Sequence, residues 1–278
     1  MDLAVSGFAW PPGQEAAALA LLRRGGIGAI EVVPTRLVPE SGDGVANGAA
    51  NWAALTPAVL AAARARFAAH GLGIAAVQSL FHGLPGTPQL FGPAGEFARL
   101  AAHLRRVAEI AGQLGAPLAV LGAARNRAAA PAHPDLALAR LHGLAEAAAG
   151  AGLVLVLEPV PEALGCRFAT TAAEALRLVR AVGHPALRLQ VDTANAHLAG
   201  EDLAPVIAAA GPLLAHVHVA QPGLGAFADP LPGHARAAAA LRAGGYRGRV
   251  TLELLDHGPD PLADLAGAIA AGRRLYAS

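Results

Sequence analysis

Short β-rich runs alternate with Ala/Leu/Arg-rich helical stretches along the whole chain, and this alternation restricts the fold more than any other feature of the sequence. Strands are expected over 3–10, 28–35, 73–81, 117–123, 153–160, 187–193, 214–220 and 249–255, and helices over 57–70, 95–114, 134–150, 171–182 and 261–276. Thr56 is placed to cap the helix that follows it, with Pro57 at the first helical position, where a missing N–H costs nothing. Glycines at Gly71, Gly150 and Gly244 stop helices before the next strand. Eight β-then-α units in 278 residues match a (β/α)8 TIM barrel, whose usual size is roughly 250 residues. An open doubly wound sheet would carry a Gly-rich phosphate turn after its first strand, whereas this strand runs into Trp10-Pro-Pro-Gly13. No linker or shift in composition divides the chain, so 1–278 reads as a single domain. The segment 41–52, after the second strand, is expected to form a lid over the barrel mouth.

Composition narrows the chemistry. The chain is 54% hydrophobic with a formal net charge of +1, enough to bury a large core and too little charge to favour nucleic acid or an acidic membrane as partner. One cysteine, Cys166, excludes a disulfide framework and a multi-cysteine metal site, and it fits a reducing cytoplasm. The start MDLAVSGFAWPPGQ lacks the pattern of an export signal, and no uninterrupted apolar run reaches membrane-spanning length. All 21 basic residues are arginine. Schiff-base chemistry needs a lysine amine, so lysine aldolase and pyridoxal mechanisms are excluded.

In a barrel of this kind the functional groups sit at the C-terminal ends of the strands. Strands five to eight end in Glu158, Asp192, His218 and Glu253. Side chains alternate across a strand, so Val154, Val156 and Glu158 share a face, as do Leu214, His216 and His218, and Arg249, Thr251 and Glu253. Carboxylates crowded into a partly dry pocket repel one another and resist ionisation. A divalent cation relieves the repulsion, and three oxygen donors with one imidazole suit Mn²⁺ or Mg²⁺, and also Co²⁺ or Zn²⁺.

At these residues the sequence resembles the xylose isomerase-like barrel superfamily of sugar and sugar-phosphate isomerases and epimerases. The matching motifs are LEPVP around Glu158, VDTAN around Asp192, AHVHV around His218 and GYRGRVTLELL leading to Glu253, spaced by 34, 26 and 35 residues. The resemblance implies that Glu158, Asp192, His218 and Glu253 ligate one metal ion, with Glu158 and Glu253 also acting as acid and base. Epimerases of this kind typically carry a histidine three residues after the aspartate, where this chain has Asn195, and an acid and an arginine after the strand-seven histidine, where it reads Gln221-Pro-Gly-Leu224. The trinuclear endonuclease branch needs further histidines and an Asp-x-His after strand seven, and here that stretch is Asp229-Pro230-Leu231.

Around the four ligands, Trp10, Arg36, Gln78, His82, Arg125, Arg127 and Asn195 are candidates to bind substrate. Arg125 and Arg127 together would form a guanidinium clamp for a phosphate or carboxylate. Glu31 and His216 read as structural partners inside the barrel, Trp52 as either pocket wall or core, and Cys166 as no nucleophile. The activity implied is a divalent-metal-dependent isomerase or epimerase of a small ketose, polyol or sugar phosphate, working through an enediolate. A dehydratase of the inosose or dehydroshikimate type and a non-catalytic metal-containing sugar-binding barrel use the same residues. A homo-oligomer is compatible with the sequence.

Overall fold

A computed structural model describes residues 1–38 and 48–277, with the side chains of 48–50 left out. Eight parallel strands close into a barrel in sequence order: β1 (Leu3–Ser6), β2 (Ala29–Val32), β3 (Gly73–Val77), β4 (Leu118–Leu121), β5 (Val154–Leu157), β6 (Leu187–Asp192), β7 (Leu214–Ala220) and β8 (Val250–Glu253). Strands β1 and β8 pair to complete the ring. The helices around it are α1 (Glu15–Arg24), α2 (Gly48–Ala54), α3 (Pro57–Ala69), α4 (Ala94–Leu114), α5 (Pro134–Ala149), α6 (Ala172–Val182), α7 (Thr193–Leu198), α8 (Leu203–Ala210), α9 (Gly233–Ala243) and α10 (Pro261–Tyr276). The fold is the (β/α)8 TIM barrel expected from the alternation. Part of the segment foreseen as a lid, 41–47, lies outside the described residues, and its continuation is α2.

Local signals act as the sequence suggests. Thr56 accepts the Val59 N–H at the start of α3, with Pro57 first in the helix. Thr171 caps α6 through the Glu174 N–H. Strands are shorter than expected at their C-terminal ends: β5 stops at Leu157, so Glu158 stands one residue past the ladder.

Most buried apolar side chains form one core between the sheet and the helices. Inside the ring the filling is separate and changes along the axis. Ala4, Ala29 and Ala75 form one small cluster, and Ala76, Val120 and Val156 pack against Leu118, Val154 and Ala215 in another. Toward the C-terminal end the buried residues turn polar: Ser6, Glu31, Gln190, His216 and Thr251 are closed off from solvent.

Two β-bulges set which side chains enter this interior. The register steps from Ile30↔Ile74 to Glu31↔Ala76 between β2 and β3, and from Leu189↔Leu214 to Gln190↔His216 between β6 and β7. Each step leaves one extra residue, Ala75 and Ala215, so two successive side chains turn inward. The strict alternation read along strand seven therefore fails at its start. Leu214 belongs to the outer core, and the inward stack is Ala215, His216 and His218.

Candidate functional site

The C-terminal mouth of the barrel opens into a pocket of about 720 Å³ whose floor carries Glu158, Asp192, His218 and Glu253. One ligand atom from each of these four lies within 4.8 Å of all the others. Asp192 and His218 are 2% and 1% exposed and the two glutamates 8% and 9%, so the glutamates are the members that reach toward the pocket.

Each member is held by a neighbour. Asp192 is the N-cap of α7: its Oδ1 accepts the Asn195 N–H at 2.6 Å, which leaves Oδ2 facing His218 Nδ1 at 3.9 Å. Glu158 Oε1 accepts from the Gln190 amide at 3.0 Å, and Glu253 Oε1 from the Gln78 amide at 3.2 Å. His218 Nε2 lies 3.0 and 3.1 Å from the two oxygens of Glu31, and His216 Nε2 lies 2.7 Å from Glu31 Oε2.

The other nitrogen of His218 is the informative one. Nδ1 sits 3.1 Å from Glu253 Oε2 and 3.3 Å from Glu158 Oε1, yet it is buried without a hydrogen-bond partner. With its lone pair at Nδ1, His218 and the three carboxylates form a donor set of the kind that suits a divalent cation. The electrostatics agree. Burial, followed by the charges of Glu158 and Glu253, pushes Asp192 up to about 8 against the opposing pull of His218 and the Asn195 N–H. Burial also opposes a charged His218, but Glu31 and Glu253 outweigh it and raise the imidazole well above its usual range. Burial would likewise raise Glu31, and the two imidazoles reverse this and hold it far below the carboxylate range.

The candidate substrate-binding residues separate into three groups. His82 and Arg125 line the pocket. Gln78 and Asn195 also line it, but their side chains are engaged, Gln78 with Ser6 Oγ and Glu253 and Asn195 with the Pro159 carbonyl. Trp10, Arg36 and Arg127 are elsewhere. Trp10 and Arg36 border a separate cavity of about 370 Å³ beside Phe67, where Arg36 donates to the Gly7 and Trp10 carbonyls and pairs with Asp256. Arg127 is 1% exposed and donates to the Phe168 carbonyl. The two-arginine clamp is not formed: on the short 3-10 turn over Ala124–Arg127, Arg125 lines the pocket while Arg127 is buried against the Phe168 carbonyl. Trp52 is buried and donates to the His82 carbonyl, so it supports the pocket rim from behind.

Three contributors escaped the sequence reading: Phe8, which stands on the pocket wall in place of Trp10, Gln190 and Gly122. Gln190 could have been found from parity, since it lies two residues before Asp192 on the same strand. The aliphatic wall is completed by Val160, Leu164 and Leu224. Gln221, at the position where an acid is usual, faces away and bonds the Asp229 carbonyl and the Leu231 N–H. Ser79 and Leu224 hold positive φ of 56° and 53° on this wall, a strained geometry for side chains of their kind.

Barrel, polar interior and acid–imidazole floor together define a (β/α)8 protein with a cluster of potential metal ligands at the C-terminal face. The sequence matches the xylose isomerase-like TIM barrel family over residues 19–275, and the chain belongs to that family. No curated protein matches it. Among solved structures it is similar to a D-psicose 3-epimerase from Clostridium cellulolyticum H10 solved with D-tagatose, at 14% identity over 99% of each chain and a TM-score of 0.77. A D-psicose 3-epimerase solved in the presence of D-fructose gives 19% identity over 100% of each chain and a TM-score of 0.76. The 3-keto-D-glucoside 4-epimerase of E. coli gives 18% identity over 99% of each chain and a TM-score of 0.74. At these identities the likeness speaks for the fold. Among the described residues no helix is long and apolar enough to cross a membrane.

Proposed function

We propose that this protein is a divalent-metal-dependent isomerase or epimerase of a small ketose, polyol or sugar phosphate, with Glu158, Asp192, His218 and Glu253 as the metal ligands. The observation that carries this reading is the unpartnered Nδ1 of His218 among three acids whose ligand atoms converge within 4.8 Å. Mn²⁺ or Mg²⁺ suits so oxygen-rich a set best, with Co²⁺ and Zn²⁺ as alternatives. When bound, such an ion supplies Lewis-acid polarisation of a substrate carbonyl.

The chain's own residues supply the proton transfers. Glu158 follows β5 and Glu253 ends β8, three strands apart around the ring, so their carboxylates approach a bound sugar from different sides. Removal of the proton alpha to the carbonyl by one and return by the other on the opposite face inverts that carbon. Transfer of the proton between adjacent carbons by a single carboxylate, with the hydroxyl proton passed from one oxygen to its neighbour, interconverts aldose and ketose. Each such step is worth roughly 10²- to 10⁴-fold. Gln78 and Gln190 keep one oxygen of each glutamate tied, which fixes the direction of the carboxyl groups. His82 and Arg125 are the groups free to meet substrate hydroxyls or an anionic tail, and Phe8 and the aliphatic wall exclude water around the reacting carbons.

The test is elemental analysis of purified protein, then incubation of the Mn²⁺-loaded protein with ketoses and their phosphates in heavy water. One ion per chain, and product with the substrate's composition carrying deuterium next to the carbonyl, are expected. Product lacking one water would replace the reading with a dehydratase. Sugar binding without exchange would replace it with a non-catalytic binder.

A further inference from the structure

Glu31 has no part in the proton transfers proposed above, although among the described residues no charged group is more deeply enclosed: it is 0% exposed on β2, beneath the acid–imidazole floor. Its Oε2 is 2.7 Å from His216 Nε2, and both its oxygens lie 3.0–3.1 Å from His218 Nε2. A carboxylate only accepts hydrogen bonds. Both imidazoles therefore direct an Nε2–H at it, and their rings meet edge to face with centroids 5.0 Å apart. The bulge that leaves Ala75 unpaired aligns Glu31 with Ala76, a small neighbour beside the carboxylate.

We infer that Glu31 is a positioning residue for the metal centre: by accepting the Nε2–H of His218 it locks the ring so that Nδ1, and not Nε2, is the nitrogen offered to the ion. This rests on the metal-dependent reading above. Without such an acceptor nothing would hold the proton of a neutral His218 on Nε2, and a small turn of the ring would let Nδ1 carry it toward Glu253 and Glu158, which stand at 3.1 and 3.3 Å. That tautomer closes the site by placing an N–H where the cation belongs. Glu31 removes this competition, and it does so from the strand opposite the ligands, through a contact between residues 187 positions apart in the chain.

The same three residues, Glu31, His216 and His218, could themselves surround a cation. For that, His218 would have to direct an Nε2 lone pair downward and its Nδ1–H toward the three acids, which opposes the upper site. The spacings of 2.7–3.1 Å are also those of N–H···O hydrogen bonds.

Glu31→Gln distinguishes these arrangements. A glutamine has one acceptor oxygen for two imidazole N–H groups, and its own NH₂ requires a nitrogen lone pair from one ring. Mn²⁺ affinity, followed by electron paramagnetic resonance of the free ion, should weaken roughly 10- to 100-fold, with circular dichroism and Tm checking that the variant is folded. In parallel, ¹⁵N-edited NMR of histidine-labelled wild type loaded with Zn²⁺ should find His218 protonated at Nε2 and metal-shifted at Nδ1. That measurement stands even where Glu31→Gln does not fold. Unchanged Mn²⁺ affinity in a folded Glu31→Gln, or metal found on Nε2 of His218, overturns the inference while leaving the metal centre intact. Two ions per wild-type chain, one lost in the variant, would make Glu31 a ligand and overturn it as well. Wild type that binds no Mn²⁺ overturns the inference together with the reading it rests on.

Discussion

Gly122, just past β4, leaves the space that the Glu158 carboxylate fills: a Cβ at this position would lie 1.7 Å from Glu158 Oε2. The atom in conflict is the end of a flexible side chain, so Gly122→Ala should fold with little change in Tm while forcing Glu158 to another rotamer. If Glu158 has the ligand and acid/base role proposed for it, displacing its carboxylate by about an ångström costs on the order of 10²-fold in rate. Mn²⁺ affinity should fall by about tenfold or more as well. Metal binding and turnover equal to wild type in Gly122→Ala would show that Glu158 has no need of its present position.

Gln78 was expected at the substrate, and its amide is bonded instead to Glu253 and Ser6 Oγ. A group that directs a catalytic carboxylate acts on the chemical step, whereas one that grips substrate acts on binding. Gln78→Leu should therefore lower kcat by roughly tenfold with KM almost unchanged. Gln190→Leu, which removes the matching donor to Glu158, should behave the same way. A rise in KM at constant kcat would return Gln78 to the substrate.

Arg125 and Arg127, two residues apart, should separate completely on mutation. Arg127 is enclosed, with Nε and Nη2 unpartnered, and burial holds its affinity for a proton below the usual arginine value against the pull of Cys166, Glu158 and Glu174. A buried charge with no carboxylate paired to it carries a desolvation cost that an apolar side chain of similar length does not. Arg127→Met should leave KM for every substrate unchanged and Tm equal or higher. Arg125→Ala should raise KM, more for phosphorylated substrates than for free sugars. A fall in affinity for sugar phosphates in Arg127→Met at constant Tm would contradict this division.

The features legible in the sequence were those carried by period and position. Strand-end residues are confined to one rim of a barrel, so the sequence alone groups Glu158, Asp192, His218 and Glu253, and the structure converges them. What stayed hidden depends on register and on side-chain direction. Nothing in the string AHVHV marks Ala215 as an extra residue, so strict alternation puts Leu214 on the face of His216 and His218, whereas it packs in the outer core. A one-residue bulge exchanges the faces of everything before it. Arg127 and Trp10 had suitable chemistry in suitable loops, but a single 3-10 turn decides whether a loop side chain meets the pocket or the wall. Sequence parity makes Glu31 a structural partner inside the barrel, and its tie to His218 is a contact that no local pattern encodes.

His234, far from the floor of the pocket, makes the stability of the fold depend on acid. It is 1% exposed, stacks near Phe227 and bonds the Tyr276 hydroxyl through Nδ1, while its Nε2 is without a partner. Burial pushes it down from 6.5 to about 4. Between those values the unfolded chain binds a proton that the folded chain refuses, so the contribution of His234 to stability falls as pH drops from about 6.5 toward 4, opposing the gain from Asp192, whose raised carboxyl takes up its proton in the folded state over the same window. Above 6.5 the ring is neutral in both states and contributes no pH dependence. The slope from this one group is at most about 1.4 kcal/mol per pH unit. His234→Phe keeps an aromatic ring beside Phe227 and removes the titration. Its urea midpoint should lie below that of wild type at pH 7, through loss of the Tyr276 partner, but should decline less steeply between pH 6.5 and 4. Parallel declines for the two proteins across that window would mean that His234 takes up its proton in the folded state as readily as in the unfolded chain.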